Sequence, residues 1–441
     1  MIMLIGMRAK TERRLPVCLA VLGLLLAACA GQAATTIEPL DAPTLIPPTL
    51  TPAPTFTAAP TPAGPTALQI WWPEPLAPVG DISAAAVLSA QLDGFEQAHP
   101  DIVIESRLKK PKDVGGIMET LRAASAVAPG ALPDLTLLRR EDLLLAVQSR
   151  LVQPLEGQVS SAILGSLYTA ALELGQVNGQ LFGLPYTLDV THIAYRGDFP
   201  SGDFARLDNV LAQGRAFTFA AGNPNAISSV FLMQYLSAGG SLSDISLGEV
   251  NPDALGAVLD FYEQAANAGL VNPAVLNYTS ADDYVAALRD STLHAGVVSS
   301  TLYLELAADN AGLSFAPVPM QAGQPATPLN GWMWVITTAN ADRQLMAADF
   351  LEWMMEAGGQ AAYTGAIHML PSQRATMRQL AISPAYLDFV TQLLGNAVLL
   401  PPEITSSPTA RAMQNALAAV LSGQRSAGQA TQDVLSQIAG D

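Results

Sequence analysis

The chain is poor in cysteine: two occur in 441 residues, Cys18 and Cys29. Cys18 lies in the N-terminal apolar run, so the chain beyond residue 28 carries one thiol. That excludes an intramolecular disulfide there and a cluster of thiolate metal ligands. Histidine is scarce too. His99, His192, His294 and His368 are scattered, and no local metal-ligand spacing joins them. Neither a metal nor a cofactor is therefore expected. The G-x-x-x-x-G-K-[ST] phosphate loop is missing, which excludes a P-loop ATPase, and H-E-x-x-H and G-x-S-x-G are missing as well. Carboxylates are plentiful, so a glycosidase pair stays open. Beyond residue 28 the lysines are Lys109, Lys110 and Lys112 alone, which read as an exposed turn or a partner contact. The formal charge is −17, and 17 basic against 37 acidic side chains remain after residue 28. Such a surface lacks the basic footprint that nucleic acid demands, and the polybasic patch of a peripheral membrane contact.

What is present begins with an export signal. Arg8, Lys10, Arg13 and Arg14 form a positive n-region, and Leu15 to Ala28 is apolar but too short to span a bilayer. The run ends Leu26-Ala27-Ala28-Cys29, which resembles the lipobox of bacterial lipoproteins. By that resemblance residues 1–28 are a signal peptide and Cys29 is the lipidated first residue of the mature chain. The alternative is an ordinary signal peptide with an incidental cysteine. Residues 29–66 follow as a tether, with nine prolines and nine threonines from residue 30 on. Proline-rich chain stays extended at about 3.1 Å per residue, so this one reaches roughly 110 Å. A glycosylated stalk would do the same mechanical work.

The remaining length suits about two lobes. Strands are expected at Leu68–Trp72, Ile102–Glu105 and Leu135–Leu138. Helices are expected from Asp81 to Ala98, from Asp113 through Ala124, and over 141–150. This alternation is the mark of an α/β sheet with crossover helices. Ligands of such sheets sit beyond the carboxyl ends of the strands, which points to Trp71-Trp72 and Arg139-Arg140. Later, strands are expected at 217–221, 293–298, 313–318 and 330–336. Helices are expected at 227–238, 252–267, 281–289, 343–355, 384–395 and 408–439.

The most informative stretch is Asn178 to Arg196, NGQLFGLPYTLDVTHIAYR. Asn178-Gly179 is a tight-turn signal. Leu181–Leu184 reads as a strand stopped by Pro185, then a polar patch, then a strand at Ile193–Tyr195. This stretch resembles the NGKLYGLPY…D…LYYN segment of the extracellular solute-binding proteins of ABC importers, the sugar-type family that includes the maltose-binding protein. LQIWW at 68–72, FEQAHPDIVIE, PDLTLL with LLAVQSRLVQPL, NGWMWVI at 330–336 and LPS at 370–372 resemble further family segments in the same order. The resemblance covers residues 67–441. It implies a two-lobed periplasmic-binding-protein-like fold of type II with the ligand cleft between the lobes. Residues 67–192 with 329–368 would form one lobe, and 197–318 with 372–441 the other. Hinges would lie near 190–197, 318–331 and 368–372. It also implies a monomer held to the cell membrane by lipid alone, which hands a small ligand, a sugar, to ABC permease subunits.

Trp71, Trp72, Trp332 and Trp334 are candidate walls for sugar rings, because aromatic faces stack on apolar ring faces. Neighbours in a strand point to opposite faces, so at most one of Trp71 and Trp72 faces a given cleft; the alternative for each of the four is core packing. Trp332 and Trp334 share a face. Tyr186 and Asp189 are further candidates, Asp189 as hydroxyl acceptor or as a helix cap. Arg139 would bind a carboxylate or hydroxyls, or lie in a solvated loop. Ser299, Thr301 and Asn330 complete the ligand-binding set. The rivals are a secreted carbohydrate-active enzyme, which needs two carboxylates at catalytic separation, and a sensory or structural lipoprotein that keeps the fold.

Overall fold

Strand and helix alternate over the first part of the described chain, from residue 66 to residue 148. The computed structural model describes residues 65–197, 204–309 and 312–440. The expected signal peptide, Cys29 and the expected tether as far as residue 64 lie outside the described residues. Strand β1 (Thr66–Pro73) leads to α1 (Ile82–Ala98), whose N-cap is Asp81. The Asp81 carboxylate accepts the N–H groups of Ser83 and Ala84 at 2.8 and 3.0 Å, which satisfies donors that the first turn leaves free. Then come β2 (Ile102–Lys109), α2 (Ile117–Val127), β3 (Leu135–Leu138) and α3 (Arg140–Gln148). Helix α2 starts later than its sequence suggests: Asp113 sits in the preceding turn at φ 67°, and Gly116 is the cap. β1 pairs in parallel with β2 and β3, as crossover helices require.

After α4 (Ser161–Ser166) and α5 (Thr169–Gly175), a small hairpin forms from β4 (Gln176–Val177) and β5 (Gln180–Leu181). Asn178 and Gly179 turn it with φ of 53° and 80°, the pairing a two-residue hairpin needs. The next strand, β6 (Leu184–Arg196), corrects the sequence reading. It runs unbroken over 13 residues through Pro185, whereas the strand expected at Leu181–Leu184 is split, with Leu181 ending β5 and Leu184 opening β6. A register shift between Pro185 and Thr187 accommodates the residue that cannot donate to the ladder.

The chain continues through α6 (Leu207–Gln213), α7 (Ser229–Ser237), α8 (Leu242–Ser246), α9 (Pro252–Asn267), α10 (Val285–Arg289), β7 (Ala295–Ser299), α11 (Ser300–Asp309) and β8 (Leu313–Ala316). It then forms β9 (Thr327–Ile336), α12 (Ala341–Met354), α13 (Ala357–Ala366), β10 (Leu370–Pro371), α14 (Arg374–Met377) and α15 (Pro384–Gly395). Last come β11 (Ala397–Val398), α16 (Pro402–Thr405), α17 (Pro408–Leu421) and α18 (Ala427–Gly440). Gly423, at φ 69°, separates the last two, dividing the helical run expected over 408–439. Phe217–Ala221 is not a regular strand: Thr218 makes a single bridge to Gly296, and Phe217 and Ala221 donate to Leu270 and Val275.

β6 belongs to both halves of the sheet. Leu184–Val190 pair with β9, and Thr187 and Leu188 with β10. Thr191–Arg196 pair with β7 and β8. Beyond β9 the order runs β3, β1, β2. Each half has its own core. Leu68, Trp72, Phe95, Trp334 and Phe350 pack on one face of the first half. Phe219, Phe231, Leu255, Tyr262 and Leu417 fill the second half under α9 and α17. A third cluster, with Leu143, Leu188, Met333, Tyr303 and Tyr386, joins them along β6. The architecture is a two-lobed α/β fold strung on one shared strand. The first lobe is pinned by an ion pair between the buried Asp134 and the half-buried Arg343. Arg343 grips Asp134 through two of its guanidinium nitrogens, Nε at 2.6 Å and Nη2, and Gln69 donates its backbone N–H to the same carboxylate at 2.8 Å.

Candidate functional site

The carboxyl ends of the parallel strands open into a cavity of about 530 Å³. The loop after β1 supplies Pro75, the loop after β2 Lys112, and the residue after β3 Arg139. This is where an α/β sheet leaves strand ends free, because crossover chains must leave the sheet there. From the other side come Ser299, which ends β7, and Thr301, Leu302 and Glu305 of α11. Thr187, Leu188 and Asp189 of β6 and Gly331 and Trp332 of β9 also line it.

Asp189 anchors the second lobe's contribution. Its Oδ1 accepts the Ser300 hydroxyl at 2.8 Å and the Thr301 N–H at 3.2 Å, at the first turn of α11. A carboxylate there satisfies an orphan donor and faces the positive end of the helix dipole. Ser299 Oγ accepts the Leu302 N–H at 3.2 Å, and Ser300 Oγ also accepts the Val190 N–H at 3.1 Å. The polar run Ser299-Ser300-Thr301 thus ties α11 to β6 while its outer members face the cavity. Burial pushes the Asp189 carboxyl above its ordinary range; the Ser300 and Thr301 hydrogen bonds and the Arg139 charge act against that shift.

Arg139 lies with its guanidinium over the Trp332 indole, 5.3 Å from the ring centroid. Its Nε is buried with no hydrogen-bond partner among the described residues. A buried guanidinium donor without an acceptor is costly in a finished protein and is expected where a ligand supplies the acceptor. Arg140, by contrast, turns away and donates to the carbonyls of Leu174, at 2.8 Å, and Gln176.

A second recess of about 290 Å³ adjoins along β9, where Leu329 and Asn330 precede Gly331 and Trp332. Its polar lining carries no charge: Asn223, Ser228, Ser229, Thr279, Asn330 and Thr405. β9 approaches β6 closely at this point. A Cβ on Gly331 would overlap the Thr187 carbonyl oxygen, so glycine is what lets the two strands form the cavity floor.

Of the residues singled out in the sequence, Arg139, Asp189, Ser299, Thr301 and Trp332 meet at the larger cavity, and Asn330 lines the adjoining recess. Trp71, Trp72, Tyr186 and Trp334 are buried in the first lobe and are not among the lining residues. Trp71 packs with Leu138 and Leu143 beneath the Lys109 ammonium, 4.3 Å from its ring. Trp72 stands edge-on to Trp334 at 5.2 Å and donates its indole N–H to the Leu76 carbonyl at 3.1 Å. Tyr186 lies edge-on to Trp334 at 5.7 Å, and burial holds its hydroxyl well above the usual phenol range. Trp334 shares a face with Trp332 but lies deeper, two residues further from the cavity. Asp282, Glu305 and Asn223 were not picked out in the sequence. Glu305 had a signal: it sits one helical turn after Thr301, so it shares that residue's face. Asn223 had none, since it comes from an irregular segment, and Asp282 lies in a 3-10 turn, Ala281–Asp283, within the helix expected over 281–289. Among the described residues no group of three His, Cys, Asp or Glu side chains is placed to hold a metal ion, and no helix is long and apolar enough to cross a membrane.

The fold has many solved counterparts. The maltose-bound MalE3 of T. maritima is 18% identical with a TM-score of 0.62, over 85% of this chain and 99% of that one. The cyclic α-maltosyl-1,6-maltose binding protein from Arthrobacter globiformis is 17% identical with a TM-score of 0.64, over 86% and 99%. A family 1 extracellular solute-binding protein from Bifidobacterium longum subsp. infantis is 20% identical with a TM-score of 0.62, over 86% and 100%. No curated protein sequence matches. The family model for the bacterial extracellular solute-binding protein matches residues 90–385, more than half of the chain. With that match laid over a two-lobed sheet and its cleft, the chain belongs to the bacterial extracellular solute-binding proteins.

Proposed function

We propose that the protein binds a sugar or oligosaccharide in the cleft at Arg139, Asp189 and Trp332 and delivers it to the permease of an ABC importer. The observation that carries this reading is the composition of the cleft. An indole wall under a guanidinium with an unfilled donor faces carboxylates and hydroxyls, beside a recess lined by neutral amides and hydroxyls. Sugar rings offer apolar faces to the indole and hydroxyls that both donate and accept. The structural counterparts named for maltose and cyclic maltosyl-maltose support the same ligand class.

No bond is made or broken in this reading. Residues 67–192 with 329–368 act as one lobe and 197–318 with 372–441 as the other. They close about hinges near 190–197 and 318–331, with a third crossing at 368–372. A ligand held by Arg139 and Trp332 from one lobe and by the α11 turn from the other favours the closed form by its differential affinity. The closed monomer is then presented to the permease. The basic and apolar leader ending in Leu26-Ala27-Ala28-Cys29 supports a lipid anchor at Cys29, with the proline-rich tether holding the body off the membrane.

A melting-temperature scan against maltose, maltotetraose, amino acids and polyamines tests the proposal. A ligand at 100 times its Kd adds about 2.7 kcal/mol of stability. A rise with a sugar recovered unaltered is the expected result. Sugar consumed during the assay would replace binding protein with enzyme, and a rise confined to amino acids or polyamines would replace the ligand class.

A further inference from the structure

The Arg139 guanidinium lines the 530 Å³ cavity and makes no hydrogen bond or ion pair with any described residue. The side chain is partly buried, and its Nε is shut off from solvent. Other partly buried arginines are completed within the fold: Arg140 and Arg196 donate to backbone carbonyls, and Arg343 donates to the Asp134 carboxylate. Arg139 is also held in place. Its backbone joins the end of β3 to the start of α3, and its guanidinium rests on the Trp332 indole, 5.3 Å from the ring centroid. The charges of the cavity are divided by wall. Lys112 and Arg139 stand on the side of the parallel strand ends, the Lys112 ammonium 3.2 Å from the Glu141 carboxylate. Glu305 of α11 and Asp282, in the segment that packs on β7, are exposed carboxylates on the other side. Asp189, on β6, has given its Oδ1 to Ser300 and Thr301.

We propose that the ligand is a sugar acid: Arg139 takes its carboxylate, and its ring hydroxyls donate to Glu305 and Asp282. This rests on the sugar reading of the cleft and goes further by naming the ionised group that the sugar carries. A planar guanidinium matches a carboxylate through two parallel N–H···O bonds, and charge-assisted bonds of this kind are about twice as strong as neutral ones. A neutral sugar would offer Arg139 acceptors but no counter-charge, so closing the lobes would strip water from a cation with no anion bonded to it. A cationic ligand would meet Glu305 and Asp282 but leave the buried Nε without an acceptor. A hydroxylated ring with one carboxylate satisfies both walls, because hydroxyls donate to carboxylates as readily as carboxylates accept from a guanidinium. Lys112 adds a second positive charge on the side where the ligand carboxylate lies.

Titration calorimetry on the protein tests this by comparing glucuronate with glucose, galacturonate with galactose, and digalacturonate with galactobiose, with succinate as a carboxylate that is not a sugar. At least one acid is expected to bind at least tenfold tighter than its neutral counterpart, and the difference is expected to shrink as salt is raised. Arg139→Gln is expected to cut that preference to less than about twofold. Arg139→Lys keeps the charge and loses the fork, so it is expected to retain part of the preference, and it gives the same comparison if the glutamine variant does not fold. Neutral sugars bound as tightly as the acids, or a preference that survives both variants, overturns the proposal and leaves the sugar reading of the cleft standing. No binding of any acid overturns it as well. Succinate bound in a manner that Arg139→Gln abolishes, with no sugar of either kind bound, refutes the sugar reading and leaves a carboxylate site at Arg139.

Discussion

His192 should make this protein lose stability as pH falls from 7 to 5. The residue is fully buried on β6, inside a cage of Tyr303, Tyr386 and Phe389. Its Nδ1 is 3.0 Å from the Ile193 carbonyl, which can only accept, so Nδ1 carries the proton. Nε2 must then accept from the Tyr386 hydroxyl, 2.9 Å away. Protonating Nε2 would cost that bond and would place a charge among aromatic rings. Burial accordingly lowers the imidazole from its ordinary 6.5 to about 4. The sign follows from linkage. In the unfolded chain His192 takes up a proton below pH 6.5; in the folded protein it refuses one until about pH 4. Its contribution is fully present above pH 7 and is lost progressively as pH falls toward 4. Two and a half pH units correspond to about 3 kcal/mol in all, of which about 2 is lost between pH 7 and 5. Urea unfolding of the wild type and His192→Gln at the two pH values isolates this term, since the other titrating groups are shared. The wild type should lose about 2 kcal/mol more than the variant over that interval. Equal losses in the two proteins would refute the buried neutral imidazole.

Other tests bear on the cleft and its scaffold. Trp332→Ala and Arg139→Ala should each weaken binding of the sugar found in the melting scan at least tenfold by calorimetry, about 1.4 kcal/mol; Trp332 is also packed in the first-lobe core, so its truncation should lower the melting temperature as well. Asp189→Ala removes the carboxylate from the first turn of α11 and should cost about 1 kcal/mol in denaturant unfolding. Gly331→Ala forces a methyl group against the Thr187 carbonyl and should cost about 1–3 kcal/mol, read as a lower unfolding midpoint. Arg343→Met strands the buried Asp134 carboxylate and should cost about 3–5 kcal/mol, relieved in part by adding Asp134→Asn.

Much of the fold was legible because it is local. Asp81 caps the helix it announces, Asn178-Gly179 makes the hairpin it announces, and β3 runs over the four residues expected. These calls depend on dihedral preference and on patterning within a few residues. The reading failed where tertiary pairing overrode a local rule. Pro185 does not end β6, because a register shift against β9 absorbs the missing donor. Phe217–Ala221 looks like a strand, yet its donors are taken by scattered partners around a single bridge.

By itself the sequence determined the class of the protein: an exported chain, two lobes of alternating strand and helix, and a family signature spread over ordered segments. It also placed polar residues at the ends of β3 and β7, where Arg139 and Ser299 do meet Asp189, which lies within β6. Which aromatic groups face the cleft was decided only by the tertiary structure. Four tryptophans look alike in the sequence, and strand alternation says which share a face but not how deep each lies. Depth depends on what packs above the sheet. Phe350 and Tyr363, far along the chain, cover Trp334 and Trp72, while Trp332, two residues nearer the strand ends, meets Arg139 and the cavity.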